Sequence, residues 1–168
     1  MSHEVFISHS HADSAFAQAA CAKLEGRGIR CWIAPRDVRP GESWPEAISR
    51  AVDNCDVMVL VFSSTVVTSN QVARELTLAA NRNKVIMPVR IENIKADGAF
   101  AYYLEDRHWL DAITPPIDQH LDLLADTLSN LLERVKIGAA VRPSEMAVES
   151  PQTVASPPVV SMQTPPNP

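Results

Sequence analysis

The segment Val57-Met58-Val59-Leu60-Val61-Phe62 carries no polar side chain at either parity, so it cannot be a strand with one face in water. Six residues are too few for a buried helix of ordinary length, which leaves a central parallel strand covered on both faces. Such a strand requires helices above and below it, and the flanking sequence supplies them. Val5 to Ser8 is a first strand. Asp13 is placed to cap a helix reaching Glu25, with Phe16, Ala20 and Leu24 on one face and Gly26 or Gly28 as its stop. Ile29 to Ala34 is a second strand closed by Pro35. Ser43-Trp44-Pro45-Glu46 has the form of a capping box and opens a helix to about Asp53. Thr68-Ser69-Asn70-Gln71 offers another, opening a helix to about Asn83. Val85 to Ile91 is a fourth strand in which Pro88 points to an edge or a bulge. A helix over Ala96 to Glu105, a short strand over Arg107 to Leu110 and an amphipathic helix over Pro116 to Lys136 complete the series.

Strands alternating with helices imply an α/β fold: a flavodoxin-like parallel five-stranded sheet with helices on both faces and right-handed crossovers. Ligands of such sheets bind beyond the carboxyl ends of the strands, which directs attention to Ser8 to Ala12, Ala34 to Ser43 and Ser63 to Gln71. The folded unit is expected over residues 1–137. Residues 138–168 hold seven of the 13 prolines, no aromatic residue and few charges, and are expected to be a disordered linker or tail.

Composition removes several classes of function. With 15 Lys+Arg against 20 Asp+Glu the formal charge is −5, so no basic field is available for nucleic acid or anionic lipid. No apolar run approaches the roughly 20 residues of a membrane helix, and the amino terminus has no signal-peptide pattern. Cys21, Cys31 and Cys55 are odd in number, lack metal-site spacing and sit in apolar segments, as reduced thiols of a cytoplasmic protein would. Gly26-Arg27-Gly28 precedes a strand instead of joining strand to helix, so it is no dinucleotide fingerprint, and there is no phosphate-binding GxxxxGK[ST] loop. His9 and His11 have no partner at ligand spacing for a metal, and no serine lies in a GxSxG elbow. A phosphoryl-accepting receiver domain would share the winding. It would need acids after the first strand, an aspartate ending the third and a lysine ending the fifth, none of which is present.

One residue violates the pattern. On a helical wheel of the third helix, Glu75 falls on the apolar arc among Val72, Leu76, Leu78 and Ala79. Its neighbours one turn away, Gln71, Val72, Leu78 and Ala79, offer no cation, so the usual helical ion pair is excluded. Position alone leaves two explanations open: a side chain that reaches solvent or pairs with a distant arginine, or an acid kept for chemistry at the ligand-binding rim.

Val5-Phe6-Ile7-Ser8-His9-Ser10-His11-Ala12-Asp13 resembles the first-strand signature of Toll/interleukin-1 receptor (TIR) domains. Gly28 to Asp37, followed by Pro40-Gly41-Glu42-Ser43-Trp44, resembles the second strand and BB loop of bacterial-type TIR proteins. Val57 to Ser64 with Ser69 to Leu76 resembles the third strand and the helix bearing that family's glutamate, and His108 to Ala112 resembles a later segment. The resemblance spans residues 3–136. It implies one of two activities: cleavage of the nicotinamide–ribose bond of NAD+ to ADP-ribose or a cyclic product in signalling or defence, or recruitment of other TIR domains without catalysis. In the enzymatic case Glu75 is the catalytic position, NAD+ is a substrate and no further cofactor is implied. His9, Ser10 and His11 of the first loop, Arg36, Asp37, Gly41 and Ser43 of the BB loop, and Gln71 would face the nucleotide. The resemblance also implies homotypic self-association through the BB loop. Gln71 departs from the family pattern, in which tryptophan commonly stands four residues before the glutamate.

Overall fold

The computed structural model describes residues 3–141. Five parallel strands, β1 (Val5–Ser8), β2 (Cys31–Ile33), β3 (Val57–Phe62), β4 (Val85–Arg90) and β5 (Leu110–Asp111), lie in the order β2-β1-β3-β4-β5. All six residues of β3 are fully buried. Val57, Val59 and Val61 face α1 (Ser14–Gly26) and α6 (Ile117–Val141), while Met58, Leu60 and Phe62 face α2 (Trp44–Asp53), α4 (Asn70–Asn81) and α5 (Gly98–Leu104). Full burial of such a side chain contributes about 1.5–3 kcal/mol, so this strand anchors both layers. The same parity sorts β1: Val5 and Ile7 join the first layer, and Phe6 joins the second.

Helix ends follow local chemistry. After α1, Gly28 takes φ +82, its N–H donates to Glu25 O, and Ile29 N–H donates to Leu24 O while both apolar side chains are buried. This is a glycine-stopped Schellman turn that aims the chain into β2. Asn83, at φ 53, ends α4 in the same way.

Several boundaries differ from the sequence expectation for identifiable reasons. A one-turn helix, α3 (Ser64–Val67), precedes α4; Ser63 Oγ caps it by accepting from Val66 N–H at 3.4 Å. Its Ser-Ser-Thr opening reads as loop in the sequence. The α4 cap is Ser69, not Thr68, with Ser69 Oγ accepting from Val72 N–H at 3.3 Å. Ser43 does precede α2, but its hydroxyl makes no capping bond. Asp13 also precedes its helix without capping it, because its carboxylate is engaged elsewhere. Pro88 is paired with Leu60 on one side. On the other, β5 begins only opposite Val89, so the missing N–H falls where the sheet has already thinned. Helix α6 runs to Val141, four residues beyond the expected end of the folded unit; the remainder of the expected tail lies outside the described residues. The three cysteines are free and buried, and burial pushes the Cys55 thiol up to about 11.

Candidate active site

The chain leaves β1 for β2 on one side and returns to β3 on the other, so the topological switch lies at the carboxyl ends of β1 and β3. Open α/β sheets form their ligand crevice there. Two polar clusters occupy it.

The first is built on Glu75. Helix α4 starts at Ser69 beside the crevice, and by its second turn the helix has carried Glu75 back over the end of β1. The residue is only 6% exposed. Ser8, the last residue of β1, shares the face of Phe6 and donates its hydroxyl to Glu75 Oε2 at 2.6 Å. Gln71, one helical turn earlier, donates from Nε2 to Oε1 at 3.2 Å. Because Ser69 and not Thr68 caps α4, Gln71 has no capping role and its amide is free to reach the acid. Burial drives the Glu75 carboxyl above the usual range; the bonds from Ser8 and Gln71 and the proximity of His9 oppose that shift. Among the described residues no lysine or arginine pairs with it. Among the described residues, the first explanation left open by position, solvent access or a distant arginine, is thereby excluded.

The second cluster centres on Asp13. Its Oδ2 accepts hydroxyl hydrogen bonds from Ser10 at 2.5 Å, Ser63 at 2.5 Å and Thr65 at 2.9 Å. Residues from the loop after β1 and the loop after β3 are thus tied to one oxygen. The donors also contact one another, Ser10 with Thr65 at 2.6 Å and Ser63 with Thr65 at 2.8 Å. His9 makes the third connection, its ring lying 2.7 Å from Ser10 O and 3.2 Å from Ala34 O. The rim of the crevice is therefore held by side chains where the backbone has left the sheet.

A cleft of about 290 Å³ opens on Glu75. His9, Ser10, His11 and Gln71 line it with Glu75, and so do Phe6, Ala34, Pro35 and Trp44. Arg36, Asp37, Gly41 and Ser43 do not. Arg36 is drawn the other way: its guanidinium bonds both carboxylate oxygens of Glu25 on α1, at 2.8 and 3.0 Å, and Cys31 O at 3.1 Å. Asp37 follows, accepting from Arg36 and from Ile33 N–H at 2.8 Å. Gly41, at φ +80, turns the loop, and Ser43 sits at the foot of α2. Of the expected nucleotide-facing residues, the first-loop set and Gln71 meet Glu75 within one chain, and the BB-loop set does not. A larger concavity of about 970 Å³ follows the outer edge of β2, but its two carboxylates, Glu25 and Asp37, are both held by Arg36.

Sequence reasoning did not single out Ser8 as a partner of the acid. The usable signal was parity: Ser8 is two residues beyond Phe6 and must share its face. Trp32 is buried and stacked on Phe6, with centroids 5.1 Å apart. Trp44 lies in the cleft and is 41% exposed.

Fold and site together define a doubly wound α/β domain whose switch-point crevice holds a buried acid with no lysine or arginine partner among the described residues. The TIR-domain family pattern matches residues 5–125, and the chain belongs to that family. It is 32% identical over 89 residues to a probable 2′ cyclic ADP-D-ribose synthase, BdTIR, of the plant Brachypodium distachyon, a match covering 52% of this chain and 40% of that protein. It is 30% identical over 101 residues to a stimulator of interferon genes protein of Magallana gigas, covering 56% of this chain and 24% of that one. The matches thus span less than half the length of either relative. Among solved structures, the TIR domain of the Toll-related receptor TRR-2 of Hydra magnipapillata superposes with a TM-score of 0.62 at 22% identity, covering 80% of this chain and 98% of that one. A metazoan TIR-STING receptor from C. gigas in complex with 2′,3′-cGAMP gives 0.58 at 24% identity, over 73% and 39% of the two chains. At those identities the likeness is one of fold. These relatives are plant and animal proteins, so they support TIR membership and not the narrower bacterial-type affiliation expected from the BB-loop residues.

Proposed function

We propose that this TIR domain cleaves the nicotinamide–ribose bond of NAD+, with Glu75 as the catalytic carboxylate, and that self-association through the BB loop raises its activity. The observation that carries this reading is a 6%-exposed carboxylate with no cationic partner among the described residues, held by two neutral donors and opening on a cleft. A buried acid without an ion pair costs stability, and such costs concentrate where chemistry requires them. Departure of nicotinamide leaves positive charge on the ribose. An ionised carboxylate in a water-poor cleft stabilises that charge far more than one in bulk water. Nicotinamide departs neutral, so no strong general acid is needed and one carboxylate suffices. Water then completes hydrolysis, or the adenine ring completes cyclisation. The name of the Brachypodium relative supports the same substrate class.

A second reading, a TIR adaptor that only recruits other TIR domains, is favoured by one specific feature: Gln71 stands where an indole is common in the catalytic members. Nicotinamide release from NAD+ separates the two. The enzyme reading expects Glu75→Ala and Glu75→Gln each to lower the rate at least about a hundredfold, equivalent to roughly 2.7 kcal/mol of barrier. It also expects turnover per molecule to rise with protein concentration. No release at any concentration leaves the adaptor. Release unchanged in both variants removes Glu75 from the mechanism.

A further inference from the structure

The three tryptophans have different fates. Trp32 is consumed by its stack on Phe6, and Trp109 packs edge-on to Phe62 at 5.0 Å with the Arg90 guanidinium 5.6 Å from its ring. Trp44 has no aromatic or cationic side chain against its ring among the described residues. It is 41% exposed, although an indole is among the costliest side chains to leave in water. It also stands at a defined place, on the first turn of α2 in the wall of the Glu75 cleft, which Gln71 and Val72 of α4 also line.

We propose that Trp44 is the aromatic wall of this cleft and holds the flat, positively charged pyridinium ring of the oxidised dinucleotide against its face. The proposal rests on the function argued above and deepens it: the indole comes from α2 instead of from position 71 of α4. Two features select a cationic ring over other flat ligands and persist in Glu75→Gln: the indole face carries negative quadrupole density, and no lysine or arginine lines the cleft. Reduction to the dihydropyridine removes the charge and with it this attraction, so the site discriminates NAD+ from NADH by about tenfold in affinity. Trp44 acts on binding and orientation; the carboxylate acts on the developing ribose cation.

The test uses tryptophan emission in Glu75→Gln protein, which binds NAD+ without consuming it. Saturable quenching by NAD+ is expected. It should vanish when Trp44→Phe is added and persist when Trp109→Phe is added. Calorimetry on the same protein should give NAD+ about tenfold tighter binding than NADH. In the Glu75 protein, Trp44→Ala is expected to raise KM about tenfold with kcat within about threefold, and Trp44→Phe to fall between. Because the side chain is exposed, unchanged thermal melting is expected in both variants. Quenching that survives Trp44→Phe, an unchanged KM in Trp44→Ala, or equal affinity for NAD+ and NADH overturns the assignment while leaving catalysis by Glu75 standing. Absence of both NAD+ binding and nicotinamide release overturns the assignment together with the function on which it rests.

Discussion

Replacing Ser8 by alanine removes one of the two donors that hold Glu75, and the structure sets the size of the effect. The Ser8 Oγ to Glu75 Oε2 distance of 2.6 Å is that of a charge-assisted bond. Bonds to an ionised group contribute about 1.5–3 kcal/mol, against roughly 1 kcal/mol when both partners are neutral. The bond therefore favours the ionised carboxylate, and its loss drives the Glu75 carboxyl further above the range to which burial has already raised it. If the ionised form does the chemistry, nicotinamide release by Ser8→Ala should fall about tenfold near neutral pH. The rising limb of its pH–rate profile should move to higher pH, so that the deficit narrows in alkaline buffer. Ser8→Thr keeps the hydroxyl on a strand position that suits threonine, and should restore the limb. Urea unfolding gives a readout independent of turnover. Glu75 holds its proton to higher pH folded than unfolded, so its contribution to stability falls as pH rises from its unfolded value through its folded one. In Ser8→Ala that fall should extend to higher pH than in the parent protein. A variant with the parental rate, limb and pH–stability curve would refute the claim that Ser8 governs the charge state of Glu75.

Two further outcomes follow from the same geometry. Glu75→Gln keeps an acceptor for Ser8 and never ionises, so it should be more stable than the parent at pH 7.5. The gap should close as pH falls toward the ordinary carboxyl value of 4.5, measured by urea midpoints at both pH values. Asp13→Ala withdraws the oxygen shared by Ser10, Ser63 and Thr65. Those hydroxyls recover part of the loss by bonding one another, and about 2 kcal/mol should be lost, seen as a melting temperature lowered by roughly 4–8 °C, with Asp13→Asn about half as affected.

Much of the layer arrangement is legible without coordinates because it is repeated along the chain. Parity in β1 and β3 and the apolar arcs of α1, α4 and α6 each state which side is buried, and the errors are local. Helix α3 escaped notice because its capping serine and the next two hydroxyl residues look the same in a loop. Thr68 and Ser69 compete for one cap, and nothing in their spacing decides between them. Asp13 meets every sequence criterion for an N-cap. Its carboxylate turns instead to hydroxyls at the start of α3, about fifty residues away, a choice no local rule contains.

The sequence by itself determined that a central strand is buried on both faces, that the sheet is parallel, that the winding has a crevice at its switch point, and that one carboxylate intrudes on an apolar helix face. Each follows from periodicity, because burial of apolar area is additive along an element. Tertiary structure decided what that carboxylate meets. Ser8 reaches it from β1, Trp44 enters its cleft from α2, and Arg36, expected there, is held by Glu25 on the far side. Those outcomes rest on directional bonds between residues distant in sequence, whose strength depends on tenths of an ångström that only the assembled chain sets.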